Sequence, residues 1–147
     1  MCRLLATTVL AGVGVLFSHP ALAQVITFPA QTPGVLVQPA GNPHRLQTGV
    51  NGTVTVSVVG GLGVTLQVAA PTFVSGPGGQ TDDPPGTIKT ATATWPTGSA
   101  TSGGGAAPFP TALTTVVSVS MAVDRQPPNF FAPGLYNYQV VLTVAAP

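Results

Sequence analysis

Glutamate is absent from this chain, cysteine occurs once, and charge is scarce. Charged residues make up 5% of the 147 residues, against about 25% in an ordinary soluble domain. The acidic side chains are Asp82, Asp83 and Asp124. Past residue 23 the only histidine is His44, there is no cysteine, and no helix-period apolar pattern occurs. These shortages exclude much chemistry. A Ser-His-Asp site needs a histidine beside a carboxylate, and His44 sits in the polar stretch Asn42-Pro43-His44-Arg45. Paired-carboxylate hydrolysis needs two facing acids, whereas Asp82 and Asp83 are adjacent in a Pro-Gly loop and read as a solvated turn. Zinc would find one nitrogen ligand and no sulfur. The aspartate spacing matches no calcium loop. No phosphate-binding loop or dinucleotide fingerprint occurs, and no basic patch marks a nucleic-acid partner. The sequence therefore predicts no enzyme, no metal and no cofactor.

The first 23 residues read as a cleaved signal peptide. Arg3 is the basic start and Leu4 to Phe17 the apolar run. Pro20 breaks a helix, and Ala21-Leu22-Ala23 is an A-x-A cleavage site before Gln24. The run is too short to span a bilayer comfortably, so no membrane span is expected afterwards. The remaining chain carries Arg45, Lys89 and Arg125 against three aspartates, a net charge of zero. Little repulsion keeps such surfaces apart, so self-association is tolerated. Without disulfides the core alone must hold the fold, and roughly 120 residues suffice for that. The apolar share of 44% supplies the material.

What is present is strand pattern. The longest clean run is the last, Pro133 to Pro147, in which Tyr136, Tyr138, Val140, Leu142 and Val144 share one face. Residues 24–48 form a proline-rich arm with short extended pieces at Val25 to Phe28 and Val35 to Gln38. Proline confines such pieces to edges. The arm is either a split edge strand or a donor to a neighbouring subunit. The domain proper runs from 49 to 147. Val54, Val56 and Val58 make one apolar row, and Val64, Leu66 and Val68 another. Pairing them as a hairpin keeps the rows on one face only with an odd loop, such as Gly60-Gly61-Leu62. Pro71 to Val74, Thr87 to Trp95 and Leu113 to Val123 are further extended stretches, separated by loops at 75–86 and 97–110. In the last of them Val117, Val119, Met121 and Val123 take the buried parity. If it forms a hairpin with the closing strand, that row faces Tyr136 to Leu142. With the closing strand as the true last strand, the fold is complete in itself. The expected class is all-β, an immunoglobulin-like two-sheet antiparallel sandwich of about seven or eight strands, with a jelly roll as the alternative.

Four aromatic residues are candidates for ligand contact: Trp95, Phe109, Phe130 and Phe131. Each has a structural reading as well, Trp95 in the core and the phenylalanines folded over one end of it. Asp124-Arg125 reads as a local exposed ion pair of little energetic weight. Asn51-Gly52-Thr53 matches a glycosylation sequon, although Asn-Gly at a strand start explains itself.

The closing run PGLYNYQVVLTV resembles the last strand of secreted bacterial immunoglobulin-like domains, including pilin-like subunits and spore-coat-U-like surface proteins. Gly134 and Tyr136 match their Gly-x-Tyr, and Val140, Leu142 and Val144 match the alternation after it, with Thr143 on the outer row. Those proteins usually carry a disulfide, which this chain lacks once its leader is gone. The resemblance implies a surface or periplasmic β-sandwich. The expected function is a secreted structural or adhesive protein whose partners are its own copies or other surface proteins. The alternative is a small carbohydrate- or surface-ligand-binding module using loops at one end.

Overall fold

The computed structural model describes residues 2–4, 24–60, 63–111 and 114–146. Apart from Leu4, the apolar run and the cleavage motif of the expected leader lie outside the described residues. So do Gly61 and Leu62, and with them most of the odd loop.

Three long extended stretches are divided into bent halves, the first of them at Pro33-Gly34. β1 is Cys2–Leu4. β2 (Val25–Thr32) and β3 (Val35–Val37) are halves of one path broken at Pro33-Gly34. β4 (Arg45–Val50) and β5 (Gly52–Val59) are halves of the next, broken at Asn51. β2 pairs with β5 and β3 with β4, both antiparallel. The two bends meet at Gly34, where a Cβ would lie 2.5 Å from the Gly52 amide nitrogen and 2.6 Å from the Val50 carbonyl oxygen. Only glycine permits that approach.

β6 (Val64–Val68) and β7 (Thr72–Ser75) follow, then a 3-10 turn at Pro77–Gly79, β8 (Ile88–Trp95), β9 (Gly98–Thr101), β10 (Ala107–Phe109) and β11 (Thr114–Asp124). β12 (Asn137–Gln139) and β13 (Leu142–Ala145) are the halves of the closing strand. β11 is the spine of the large sheet. Its N-terminal half pairs with β5, its C-terminal end with β4, and its other side with β8. The large sheet holds ten strands and curls into a half-barrel, and β10-β6-β13 make a second, three-stranded sheet. Pairing is antiparallel throughout except where β1 lies parallel to β12. The class is all-β, as composition predicts; among the described residues the only helical piece is the 3-10 turn.

Both sheets fill one core. Val54, Val56, Val58, Val117, Val119, Met121 and Val123 come from the large sheet, and Val64, Leu66, Val68, Phe109 and Leu142 from the small one. Burying each such side chain is worth about 1.5–3 kcal/mol. The parity readings for β11 and the closing strand hold: Val117, Val119, Met121 and Val123 are buried, as are Tyr136, Tyr138, Val140 and Leu142, and on β8 Ala91, Ala93 and Trp95 are the buried row.

The pairings differ from expectation. β5 and β6 do not form a hairpin; β5 pairs with β2 and β11, while β6 pairs with β10 and β13. The two valine rows belong to different sheets of one core, so parity put them on the right faces but could not say which edges bond. The same holds for β11 and the closing strand, which lie in no common ladder. β1 falls within the expected leader. Three further strands lie where the sequence predicts none, β4 mostly in the expected arm and β9 and β10 in the expected loop at 97–110. Their Gly, Ser and Pro content carries no local strand preference, and pairing with β11, β8 and β6 supplies what composition lacks.

The sheet order runs β3-β1-β12-β7, so β12 meets β3 through Cys2–Leu4 of the same chain.

Candidate functional site

Three loops converge at one end of the core, around residues 42–44, 76–87 and 125–135. Asp83 is their meeting point. Its side chain is 3% exposed and accepts a hydrogen bond from Arg125 Nη2 at 3.0 Å. The Tyr138 hydroxyl donates to the same oxygen, Oδ1, at 2.7 Å. Lys89 Nζ lies 3.4 Å from the other oxygen. Arg125 also donates from Nη1 to the Phe130 carbonyl at 3.1 Å. Its guanidinium stacks 4.0 Å from the Phe131 ring centroid and 5.2 Å from that of Tyr136. Such stacking suits the planar, weakly hydrated guanidinium. Asp82, next door, stays exposed and accepts from the Asp83 amide.

This arrangement corrects two expectations. Asp83 is not a solvated turn residue, and Arg125 does not pair with Asp124. Asp124 is bound instead by Arg45 at 3.1 Å on the neighbouring strand. Adjacent residues on a strand point to opposite faces, so Asp124 and Arg125 are held apart by the pleat. The odd parity of β11, with Val119, Met121 and Val123 buried, continues to Arg125 and was the one signal that could have found it.

His44 is fixed and half-buried. Its Nδ1 bonds the Asn129 carbonyl, its carbonyl accepts from the Arg125 amide at 2.8 Å, and the Pro43 carbonyl accepts from the Phe131 amide at 2.8 Å. No aspartate side chain is hydrogen-bonded to the imidazole. Among the described residues no three His, Cys, Asp or Glu side chains cluster to hold a metal, and no helix is long and apolar enough to cross a membrane.

The four aromatic candidates do not form one contact surface. Trp95 packs on Phe109 with ring centroids 5.3 Å apart, and both are buried. Phe131 is buried edge-on against Tyr136 at 5.2 Å. Phe130 alone points out, 60% exposed, with Leu135 exposed in the same loop. Asn51 is exposed and donates to Ser118 Oγ at 2.8 Å; it marks the break between β4 and β5 and not a hairpin turn. A shallow polar pocket of about 350 Å³ lies on the outer face between β4, β11 and β8. A second, more apolar pocket of about 390 Å³ lies between Leu36, Leu46, Phe131 and Tyr136.

Burial and then the hydrogen bond to Asp83 hold the Tyr138 phenol far above its usual value near 10. The unfolded chain therefore loses this proton near pH 10 while the folded chain keeps it. Above that pH the unfolded state binds fewer protons, so stability falls as pH rises. Below it the contribution is constant. Urea midpoints measured from pH 8 to 11 should decline above pH 10, and Tyr138→Phe should flatten that decline. An equally steep decline in the variant would assign it to another group.

No protein-family model matches this chain, and neither a curated protein nor a solved structure shows significant similarity to it.

Proposed function

We propose that this chain is a secreted, non-catalytic structural or adhesive protein of the bacterial surface or periplasm. In this reading it folds as an immunoglobulin-like two-sheet sandwich and associates with its own copies. Counting each bent pair as one strand leaves ten, and their division into two sheets around one core is what supports a sandwich. One observation carries the functional reading: the scarce ionisable side chains are engaged in architecture. Arg125 and Lys89 both bind Asp83, Arg45 binds Asp124, Asp82 accepts from the Asp83 amide, and His44 holds the Asn129 carbonyl. What the surface offers beyond them is hydroxyl and apolar groups, which suit adhesion better than proton transfer.

The test is expression of the full chain in a Gram-negative host, with fractionation and intact mass. The expected product begins at Gln24 and is found outside the cytoplasm. A cytoplasmic chain retaining its first residues overturns the reading.

A second reading, as a small binding module for carbohydrate or another surface ligand, has Phe130 in its favour. An exposed aromatic at a loop tip is a stacking platform. Loss of glycan binding in Phe130→Ser, with the melting temperature unchanged, would favour it.

A further inference from the structure

The bend between β4 and β5 opens a cleft on the outer face of the large sheet. β11 pairs with β5 up to Val119 and with β4 from Ala122, so Ser120 and Met121 have no strand partner on that side. Thr48 fills the gap in the ladder with its side chain. Its Oγ1 accepts from the Met121 amide at 2.7 Å and donates to the Met121 carbonyl at 3.1 Å. On the other side Ser120 stands opposite Thr92, and Ala122 opposite Thr90, on β8. β4 and β8 thus wall a space over the short Ser120 and Ala122 side chains, and that space measures about 350 Å³. We propose that this cleft is a binding site for a neutral glycan chain. The inference adds a ligand site to the reading above and depends on neither export nor self-association.

Side-chain chemistry selects the ligand. Thr90, Thr92 and Ser120 line the cleft, and their hydroxyls have no hydrogen-bond partner among the described residues. Each donates and accepts, as a sugar hydroxyl does. Arg45 and Gln47 stand on the opposite wall. Arg45 Nε donates to Gln47 Oε1 at 3.2 Å, and Arg45 Nη1 donates to Asp124 Oδ1 at 3.1 Å. Arg45 Nη2 and the Gln47 side-chain nitrogen remain as donors without a partner among the described residues. Because Arg45 is paired with Asp124, both signs of charge stand together at this wall, and neither an anion nor a cation is favoured. Thr48 and β8 satisfy the β11 backbone on its two sides, so no open edge remains here for a peptide strand. The threonine methyls and Ala122 offer apolar contact to the C–H faces of a sugar ring. The hydroxyl pattern also continues beyond the cleft. Thr92 stands opposite Thr101, and Thr94 opposite both Ser99 and Ser118. Two rows, Ser120-Thr92-Thr101 and Ser118-Thr94-Ser99, therefore cross three strands at about 4.8 Å per step, and all six residues are exposed or half-buried. A monosaccharide meets the cleft alone, whereas a chain also meets these rows, so an oligomer binds more tightly.

Backbone amide NMR of the full chain tests this, with maltohexaose, cellohexaose and mannohexaose as neutral probes and hexagalacturonate as the charged one. At least one neutral hexasaccharide is expected to shift the amides of Thr90, Thr92, Ser120 and Ala122, and its monosaccharide to shift them less at the same concentration. Hexagalacturonate should leave them in place. Thr92→Val and Ser120→Ala remove two cleft hydroxyls and keep the shape of the outer face. Together they should weaken binding of that hexasaccharide by about tenfold or more, with the melting temperature unchanged. Phe130→Ser, at the loop tip of the second reading, should leave the affinity as it was. No shift with any neutral hexasaccharide overturns the proposal. So does hexagalacturonate binding in the cleft, undiminished affinity in the double variant, or affinity lost in Phe130→Ser. Shifts of the same amides that grow with protein concentration alone also overturn it, because a second copy then covers the face. An exported chain that ignores all three neutral glycans removes the cleft as a site and leaves the secreted reading standing. A chain that binds one of them yet stays in the cytoplasm does the reverse.

Discussion

Replacing Asp83 by alanine is expected to destabilise the fold by about 3–5 kcal/mol, the cost of leaving a buried charge without its partner. Arg125 is the charge in question, with a side chain 4% exposed. Its remaining contacts are the Phe130 carbonyl and two aromatic faces. Its Nε is already buried without a partner, so the group has no reserve of hydrogen bonds to fall back on. The Tyr138 hydroxyl would lose its acceptor in the same step. The effect should appear as a lower urea midpoint with an unchanged slope. Asp83→Asn keeps the shape and an acceptor oxygen and should cost less. Replacing Asp83 and Arg125 together by leucine and methionine should recover part of the alanine loss, because the buried arginine is then not stranded; Lys89, with a side chain 25% exposed, can turn to water, while the Tyr138 hydroxyl still loses its acceptor. A fall below about 1 kcal/mol for the alanine variant would mean that water reaches Arg125 and that the pair behaves as a surface bridge.

Trp95→Ala should cost a similar amount, about 3–5 kcal/mol. Trp95 closes β8 and packs on Phe109 of β10, so it joins the large sheet to the small one. Gly98 presses on the indole, where a Cβ would lie 3.2 Å from the ring. The cavity left by alanine is thus walled by two sheets that cannot close on it. Trp95→Phe should be clearly milder. It keeps an aromatic surface and removes an indole N–H that is buried without a partner, which offsets part of the lost volume. Circular dichroism in urea measures both. Equal losses in the two variants would show that the indole edge, and not the ring stack, holds the sheets together.

Both predictions turn on residues whose importance was unevenly visible in the sequence. Trp95 was legible, since it ends an alternating row and is the largest apolar group available. Asp83 was not. It stands between Asp82 and Pro84-Pro85 in a run of turn residues, and local composition there favours a solvated loop. Its partners Arg125 and Tyr138 are 42 and 55 residues away. No spacing rule connects them. The arginine could have been found by extending the buried parity of β11, because Val123 and Arg125 share a face. Of the four aromatic candidates, three went to the core and one to the surface, a division that depends on which way each loop folds.

The sequence by itself determined the class and the faces. Side-chain alternation is a property of the single strand, and a strand that must bury one side says so in its own residues. Valine and tyrosine rows therefore mark β5, β6, β11 and the closing strand without reference to any partner, and Trp95 ends the alternating row of β8. Only the tertiary structure decided which edges bond. Backbone amides and carbonyls are the same at every residue, so a strand carries no local record of its neighbour. That is why two facing rows, β5 and β6, read as a hairpin. It is also why no residue of the sequence marks Cys2–Leu4 as the strand between β3 and β12.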